Sequence, residues 1–255
     1  MSTLIMDLEP VGQLPAISLI DLDEAASLQR RVDRKYILDA SQLAEMVGVL
    51  ANRLAALEID GQRSFSYESV YFDTPDFESY RSAAYRRRNR FKVRTRSYLD
   101  HRSTMLEVKT RNTRNVTIKH RQEQDFDLRS TLVPESFDFV DAATGRSGLA
   151  SKLEPVLTTE YERTTLVDLD DIARLTIDAG LRCTDWKHDV VRLDAAYVVE
   201  TKSAGSPSTA DRWLWSSGIR PTTISKFGTS LAALNPELPS NKWHRTINRY
   251  FTPTA

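Results

Sequence analysis

The sequence has 255 residues, of which 40% are hydrophobic and 27% are charged, as in an ordinary folded globular protein. Its 35 Lys and Arg residues balance 35 Asp and Glu residues, so the net charge gives no reason to expect binding to nucleic acid or to a membrane surface. No apolar run approaches the roughly 20 residues that cross a bilayer, Arg30 is the first basic residue, and the single cysteine fits a reducing compartment. We therefore expect a soluble, cytoplasmic protein without a membrane span.

In chain order, residues 1–29 lack strong periodicity and are interpreted as an N-terminal arm with at most one short helix. Eight later segments alternate polar and apolar residues and are predicted to be β-strands. They are Arg30–Leu38, Phe65–Asp73, Phe91–Leu99, Thr104–Arg111, Val116–Phe126, Leu157–Val167, Ile172–Ala179 and Ala195–Lys202. Eight strands of similar length favour a closed barrel, because closure leaves no exposed sheet edge.

Three helices are predicted between and after these strands. They cover Ser41–Leu57, Pro75–Ala84 and Ser225–Leu234. The first has apolar residues at helical spacing and Ser41 as its N-cap. The second begins with Thr74 and Pro75, a pair typical of an N-cap followed by the first helical residue.

The charged residues are distributed unevenly along the strands. Thirteen Lys or Arg residues but only two acids lie between Arg86 and Arg121. Residues two apart in a strand share a face, so Lys92, Arg94 and Arg96 point the same way. A single strand of this kind would simply be amphipathic, with its charges in water. Neighbouring strands that all carry cations on one face would repel each other, however, unless a polyanion neutralises them.

The same pattern recurs on other strands, where each charged face opposes an apolar one. These faces carry Asp33 and Lys35, Lys109 and Arg111, Lys119 and Arg121, Arg163, Arg174, and Lys202. Guanidinium groups bind phosphate oxygens in pairs and keep their charge when partly buried. With the charged faces inside the barrel and the apolar faces covered by helices, the sequence predicts a basic tunnel for a chain of phosphates.

Three acids, Glu107, Asp178 and Glu200, fall on the same faces as these cations. They could hold Mg²⁺ or Mn²⁺ against substrate phosphates, or they could simply pair with neighbouring Arg and Lys side chains. The four histidines are scattered without the spacing of a zinc site. Neither a nucleophile–base pair nor a glycine-rich phosphate loop is recognisable. Phosphoryl transfer requires neither, because positioning and charge neutralisation supply most of its catalysis.

Six short motifs occur together in a characteristic order. They are Arg31-x-Asp33-x-Lys35-Tyr36, Tyr67-x-Ser69-x-Tyr71-Phe72-Asp73-Thr74, Arg94-x-Arg96-x-Tyr98, Glu107-x-Lys109, Lys119-x-Arg121 and Ser225-Lys226-Phe227. This combination resembles the VTC domain, a polyphosphate polymerase domain of the triphosphate tunnel metalloenzymes. The resemblance divides the chain into an arm (1–29), a tunnel domain (30–234) and a C-terminal tail (235–255).

The resemblance implies an α+β fold, an eight-stranded antiparallel β-barrel tunnel with helices packed outside. It also implies transfer of the ATP γ-phosphate to polyphosphate with release of ADP, dependent on Mn²⁺ or Mg²⁺. The residues that match the family's catalytic positions are Lys35, Arg94, Arg96 and Lys226. Those that match its substrate-binding positions are Tyr71, Lys109, Lys119, Arg121, Arg163 and Ser225, and Glu200 matches the metal ligand.

Three alternatives to a polymerase are considered. A tunnel-type triphosphatase would share the fold, although many such enzymes carry Glu-x-Glu-x-Lys where this chain has Arg31, Asp33 and Lys35. A non-catalytic module that binds polyphosphate or inositol polyphosphate would bind without turnover. A nucleic-acid-binding protein is the weakest alternative, because the aromatic residues among the cations lack the spacing of a base-stacking platform.

Overall fold

The computed structural model describes residues 9–25, 32–113, 116–193 and 195–253. The strands of these residues are β1 Ala16–Ile17, β2 Val32–Leu38, β3 Leu54–Leu57, β4 Ser64–Asp73, β5 Arg90–Tyr98, β6 Ser103–Arg111, β7 Thr117–Gln124, β8 Glu154–Asp168, β9 Ala173–Asp185, β10 Val190–Leu193, β11 Tyr197–Ser203 and β12 Phe251–Pro253. The α-helices are α1 Glu9–Gly12, α2 Leu19–Ala25, α3 Ala40–Leu50, α4 Glu78–Ala84, α5 Phe137–Thr144, α6 Thr209–Ser216, α7 Lys226–Leu234 and α8 His244–Tyr250. The predicted α+β class is confirmed.

All eight predicted strands are present, as β2, β4 to β9 and β11. Arg30 and Arg31, which the sequence placed at the start of the first strand, lie outside the described residues. The alternation of polar and apolar residues did not predict the strands β1, β3, β10 and β12, which are too short to display it. Among the described residues, no helix is long and apolar enough to cross a membrane.

The chain divides into two compact units. Unit 1 consists of the described parts of Met1–Phe65, Tyr161–Leu181 and Leu193–Thr223, and unit 2 of those of Ser66–Glu160, Arg182–Arg192 and Ile224–Ala255. The strand order in unit 1 is β2-β11-β9-β8-β3-β1, in which the β1–β3 pair is parallel. Helices α3 and α6 bury their apolar residues in the core of this unit, among them Leu43, Met46, Val47 and Leu214.

In unit 2 the strand order is β12-β10-β9-β8-β4-β5-β6-β7. One face of β4, β5 and β6 is apolar and packs with α5 and the segment after it into a second core. Its buried residues include Val70, Phe72, Val93, Leu106, Val108 and Val140. The opposite face of these strands carries the charged residues, as the alternation predicted.

The predicted closed eight-stranded barrel is not observed. Each unit has a strand order with two ends, and in the described part of the chain β7 pairs with β6 alone and β2 with β11 alone. The sheet is therefore large and mostly antiparallel, but it is not closed. Alternation assigns residues to faces and cannot show which end strands pair. The apolar side of β7 is also uncovered, since Ile118 is 45% exposed and Val116, just before the strand, is 50% exposed.

Two helix boundaries differ from the prediction. The first helix is capped by Asp39 rather than Ser41. The Asp39 carboxylate accepts a hydrogen bond from the N–H of Gln42 at 2.8 Å, and the Gln42 side-chain oxygen accepts one from the N–H of Asp39. It ends at Leu50, since the last predicted residues form the buried strand β3. The second helix, α4, begins at Glu78 and not at Pro75, after Phe77 in the left-handed region at φ +60°.

Candidate functional site

The predicted site residues are distributed between the two units. Unit 2 contains Tyr71, Arg94, Arg96, Lys109, Lys119, Arg121, Ser225 and Lys226, and unit 1 contains Lys35, Arg163 and Glu200. Most of the unit 2 residues lie on the charged face of β5, β6 and β7. We call this surface the cationic face and define it by Lys92, Arg94, Arg96, Lys109, Lys119 and Arg121.

A row of three lysines crosses the cationic face. Lys92 lies opposite Lys109 in the β5–β6 register, and Lys109 lies opposite Lys119 in the β6–β7 register. Like charges directly opposite one another in a sheet are destabilising. A row of this kind therefore favours an anionic ligand.

The neighbouring row contains one buried carboxylate, Glu107, which is 1% exposed. The Nε and Nη2 atoms of Arg94 donate to its Oε2 at 2.8 and 2.6 Å. Lys119 and Arg121 both contact its Oε1, the latter through Nε at 3.2 Å. The third nitrogen atom of the Arg94 guanidinium, Nη1, donates to the hydroxyl of Tyr71 at 3.0 Å. Of the two roles the sequence left open for Glu107, the observed contacts are those of ion pairing.

The charges of this row shift each other's protonation. Burial disfavours the charged form of Glu107, but Arg94 and then Arg96 and Lys119 outweigh it and hold the pKa of Glu107 well below its ordinary value. Burial, aided by repulsion from Arg94, lowers the pKa of Lys109 to about 7. Burial also lowers the pKa of Lys119 to about 7, although Glu107 opposes that shift. Bound phosphate would favour the charged forms of both lysines.

Arg96 extends the cationic face along β5. Its guanidinium carbon lies 5.8 Å from the centre of the Tyr67 ring, within the range of a cation–π contact. Its Nε is buried without a hydrogen-bond acceptor among the described residues. Opposite it on β6 is the uncharged Met105. Arg96 therefore has donors to offer a ligand.

The start of α7 lies beside the same face, next to Lys92. Ser225 is the N-cap: its hydroxyl accepts the N–H of Gly228 at 3.2 Å. Lys92 reaches the Ser225 hydroxyl at 3.5 Å and lies 5.2 Å from the centre of the Phe227 ring. A helix N-terminus with a nearby cation suits an anionic group. Lys226 follows as the first residue of the helix and is half-buried.

Lys92 is a cation that the predicted site residues did not include. It shares a face with Arg94 and Arg96, which was visible in the sequence, but its position next to Ser225 was not.

The glycine at position 228, near the start of α7, is required by packing. A Cβ atom at this position would collide with the indole of Trp243.

Unit 1 carries a smaller charged group on β2 and β11. Glu200 lies opposite Lys35 in register, with 3.9 Å between the carboxylate and the ammonium, and 4.0 Å from the ammonium of Lys202. Also in unit 1, Arg163 forms a two-point ion pair with Asp178 at 2.6 and 2.8 Å, and both residues are buried. The contacts of Asp178 are thus those of an ion pair.

Glu200 is the one predicted metal ligand. In the part of the chain that the structure describes, no three His, Cys, Asp or Glu side chains are grouped to hold an ion. Mg²⁺ and Mn²⁺ often use only one or two carboxylates and complete their shell with phosphate oxygens and water. The half-buried carboxylate of Glu200 fits that role, provided that the phosphates supply the remaining oxygens.

Comparison with known protein families gives a match to the VTC domain over residues 30–235. Comparison with curated proteins gives no significant match. Among solved structures, the fold is similar to that of a candidate adenylate cyclase from Bacillus halodurans, with a TM-score of 0.50 and 13% identity over 77% of this chain and 94% of that one. A candidate adenylyl cyclase from Hippeastrum with a dominant triphosphatase activity gives a TM-score of 0.48 and 13% identity over 78% and 94% of the two chains. The likeness to the bacillar protein concerns the fold alone.

Proposed function

The chain belongs to the VTC domain family, and from that membership we propose that it is a polyphosphate polymerase. It would bind the triphosphate of ATP, transfer the γ-phosphate to a polyphosphate chain and release ADP. The observation that carries this proposal is the cationic face, where six Arg and Lys side chains share a face with the buried carboxylate of Glu107 and three of them contact it. Such an excess of cations matches a ligand with repeated anionic groups.

The transfer breaks the bond between the γ-phosphorus and the oxygen that bridges it to the β-phosphate, and that oxygen leaves on ADP with the electron pair. A terminal oxygen of the polyphosphate chain forms the new bond to phosphorus. This oxygen is already ionised near neutral pH, so no general base is needed. The protein's contribution is to align the phosphates and to neutralise charge in the transition state.

Individual residues take distinct parts in this scheme. Arg94 is held in place by Glu107 and Tyr71, so its guanidinium needs little reorganisation on binding. Lys109 and Arg96, for which the described residues give no ion pair, would contact phosphate oxygens directly. Ser225 and Lys226 would bind a phosphate at the start of α7.

The roles of the unit 1 residues belong to the same proposal. Lys35 and Arg163 would each contribute a cation, and Glu200 would bind a divalent metal. That ion, Mn²⁺ or Mg²⁺, would neutralise phosphate charge when bound. Glu200→Gln should therefore keep the fold, since the neighbouring Lys35 and Lys202 are partly exposed and can turn to water.

The test is to incubate the protein with ATP and Mn²⁺ and to separate the products by chromatography. We expect ADP together with condensed phosphate chains, little product without metal, and loss of metal-dependent turnover in Glu200→Gln. Glu135→Gln, at an exposed position, is the matched control and should keep its activity. Release of orthophosphate without chains would replace the polymerase by a triphosphatase. Binding of polyphosphate without any turnover would instead indicate a binding module.

A further inference from the structure

A second group of cations lies at one end of the β5–β6 pair in unit 2. Arg90 is the first residue of β5 and lies opposite Arg111, the last residue of β6. Lys242 is close enough to this pair, and also to Arg86, for its charge to interact with all three. We call these four residues the basic rim. Arg90 shares a face with Lys92, so the basic rim continues the cationic face at one end.

The charges of the basic rim are not compensated within the described residues. None of its four members forms an ion pair with a described carboxylate, and the buried Nε of Arg111 has no hydrogen-bond acceptor there. Burial lowers the pKa of Lys242, and repulsion from Arg90, Arg86 and Arg111 lowers it further. Burial and repulsion from Arg111 likewise lower the pKa of Arg90. Four like charges therefore lie together at a cost in stability.

A purely structural role explains only part of this arrangement. Lys242 donates to the carbonyl of Ala83 at 2.9 Å, where a cation suits the negative end of α4. The Nη1 of Arg90 donates to the carbonyl of Arg87 at 3.0 Å. Each bond uses one donor, whereas a guanidinium has five and an ammonium three. Most donors of the basic rim remain for water or a ligand.

Strand geometry determines what kind of ligand could use both surfaces. Arg96 lies six positions after Arg90 on β5, which corresponds to about 20 Å at roughly 3.4 Å per residue. A triphosphate is much shorter than this. A ligand that contacts Arg96 and the basic rim together must be a longer chain of phosphates.

We propose that the basic rim is a second phosphate subsite, which binds the part of a condensed phosphate chain that extends past Lys92 and so makes affinity rise with chain length. This inference rests on the proposed binding of condensed phosphate by the cationic face. It adds a selection for long chains over triphosphate that the cationic face alone does not require.

The experiment compares tripolyphosphate and long-chain polyphosphate by titration calorimetry without metal, at one fixed salt concentration. The rim variant is Arg90→Gln with Arg111→Gln, which keeps much of each side chain. The control variant is Arg88→Gln with Arg245→Gln, which removes the same charge from two exposed positions. We expect wild type to bind long chains more tightly per chain than tripolyphosphate. The rim variant should lose at least roughly tenfold in long-chain affinity, about 1.4 kcal/mol, and less than about twofold for tripolyphosphate.

Several results would overturn the inference. Unchanged long-chain affinity in the rim variant would show that the basic rim is not a subsite, and an equal loss in the control variant would reduce the effect to net charge. An equal loss for both ligands would place the rim residues in the triphosphate site itself.

A second titration uses the compact ligand inositol hexakisphosphate. Binding of this ligand that depends on the basic rim but not on Arg96 would indicate a separate site. If wild type binds neither linear phosphate, the proposed function fails first, and that failure is recognisable because tripolyphosphate serves as the internal reference.

Discussion

Replacing Glu107 by glutamine tests whether this carboxylate holds the cationic face together. Glu107 is almost fully buried and contacts Arg94, Lys119 and Arg121. Removing one partner of a buried ion pair usually costs about 3–5 kcal/mol, because the remaining charge stays buried. Two of the three partners can turn to water here, since Lys119 is 26% and Arg121 50% exposed, and the new amide can still accept from Arg94. We therefore expect the free energy of unfolding to fall by about 3 kcal/mol.

Urea denaturation at neutral pH without metal measures this change. Glu123→Gln, at an exposed position of β7, removes the same charge and should change stability by less than about 0.5 kcal/mol. The stabilisation by Glu107 should be complete above the ordinary carboxyl pKa of 4.5 and decrease as the pH falls toward the lowered pKa in the folded protein. A loss below about 1 kcal/mol would refute the electrostatic role. A loss that appears only when Mn²⁺ is present would make Glu107 a metal ligand instead.

Two further predictions concern packing and pH. Gly228→Ala should lower the free energy of unfolding by about 1–3 kcal/mol, because the new Cβ collides with Trp243. Gly48→Ala is the control in α3, where a Cβ meets open space, and it should raise the free energy of unfolding by up to about 1 kcal/mol. Equal effects of the two substitutions in urea denaturation would contradict the packing argument. Between pH 7 and 10.5 the unfolded state binds more protons at Lys109 and Lys119 than the folded state does, so the free energy of unfolding should rise with pH by about 1 kcal/mol per pH unit for each lysine. Lys109→Met should reduce that slope by about half, and a slope that is flat or negative in the wild type would show that burial does not lower the pKa of these lysines.

The sequence predicted the cationic face well, because its residues lie on strands long enough for alternation to be clear. Lys92, Arg94 and Arg96 needed only the two-residue period of β5. What the alternation could not give is the cross-strand register. Whether Glu107 meets a metal or Arg94 depends on which residues of β6 lie opposite β5, and that alignment is set by tertiary contacts.

Two other differences, at the end and at the start of α3, have local causes. The run over Leu54–Leu57 was predicted as helix because Leu50, Leu54 and Leu57 fit helical spacing, but a strand buried on both faces is also continuously apolar. The cap at Asp39 was overlooked because that residue directly follows a predicted strand. Gln42, whose side-chain oxygen accepts the N–H of Asp39, is a second signal that the sequence did contain. The number of paired edges, and with it the closure of the barrel, is not encoded in any single strand.

Tripolyphosphate binding by variants of the cationic face tests most directly whether this face binds condensed phosphate. Titration calorimetry should compare tripolyphosphate binding by wild type and by Arg96→Met with Lys109→Met, a double variant that leaves the direct contacts of Glu107 with Arg94, Lys119 and Arg121 in place. We expect the double variant to remain folded, which its melting transition checks, and to bind at least roughly tenfold more weakly. Unchanged affinity in a folded double variant, or no binding by wild type, would contradict the claim.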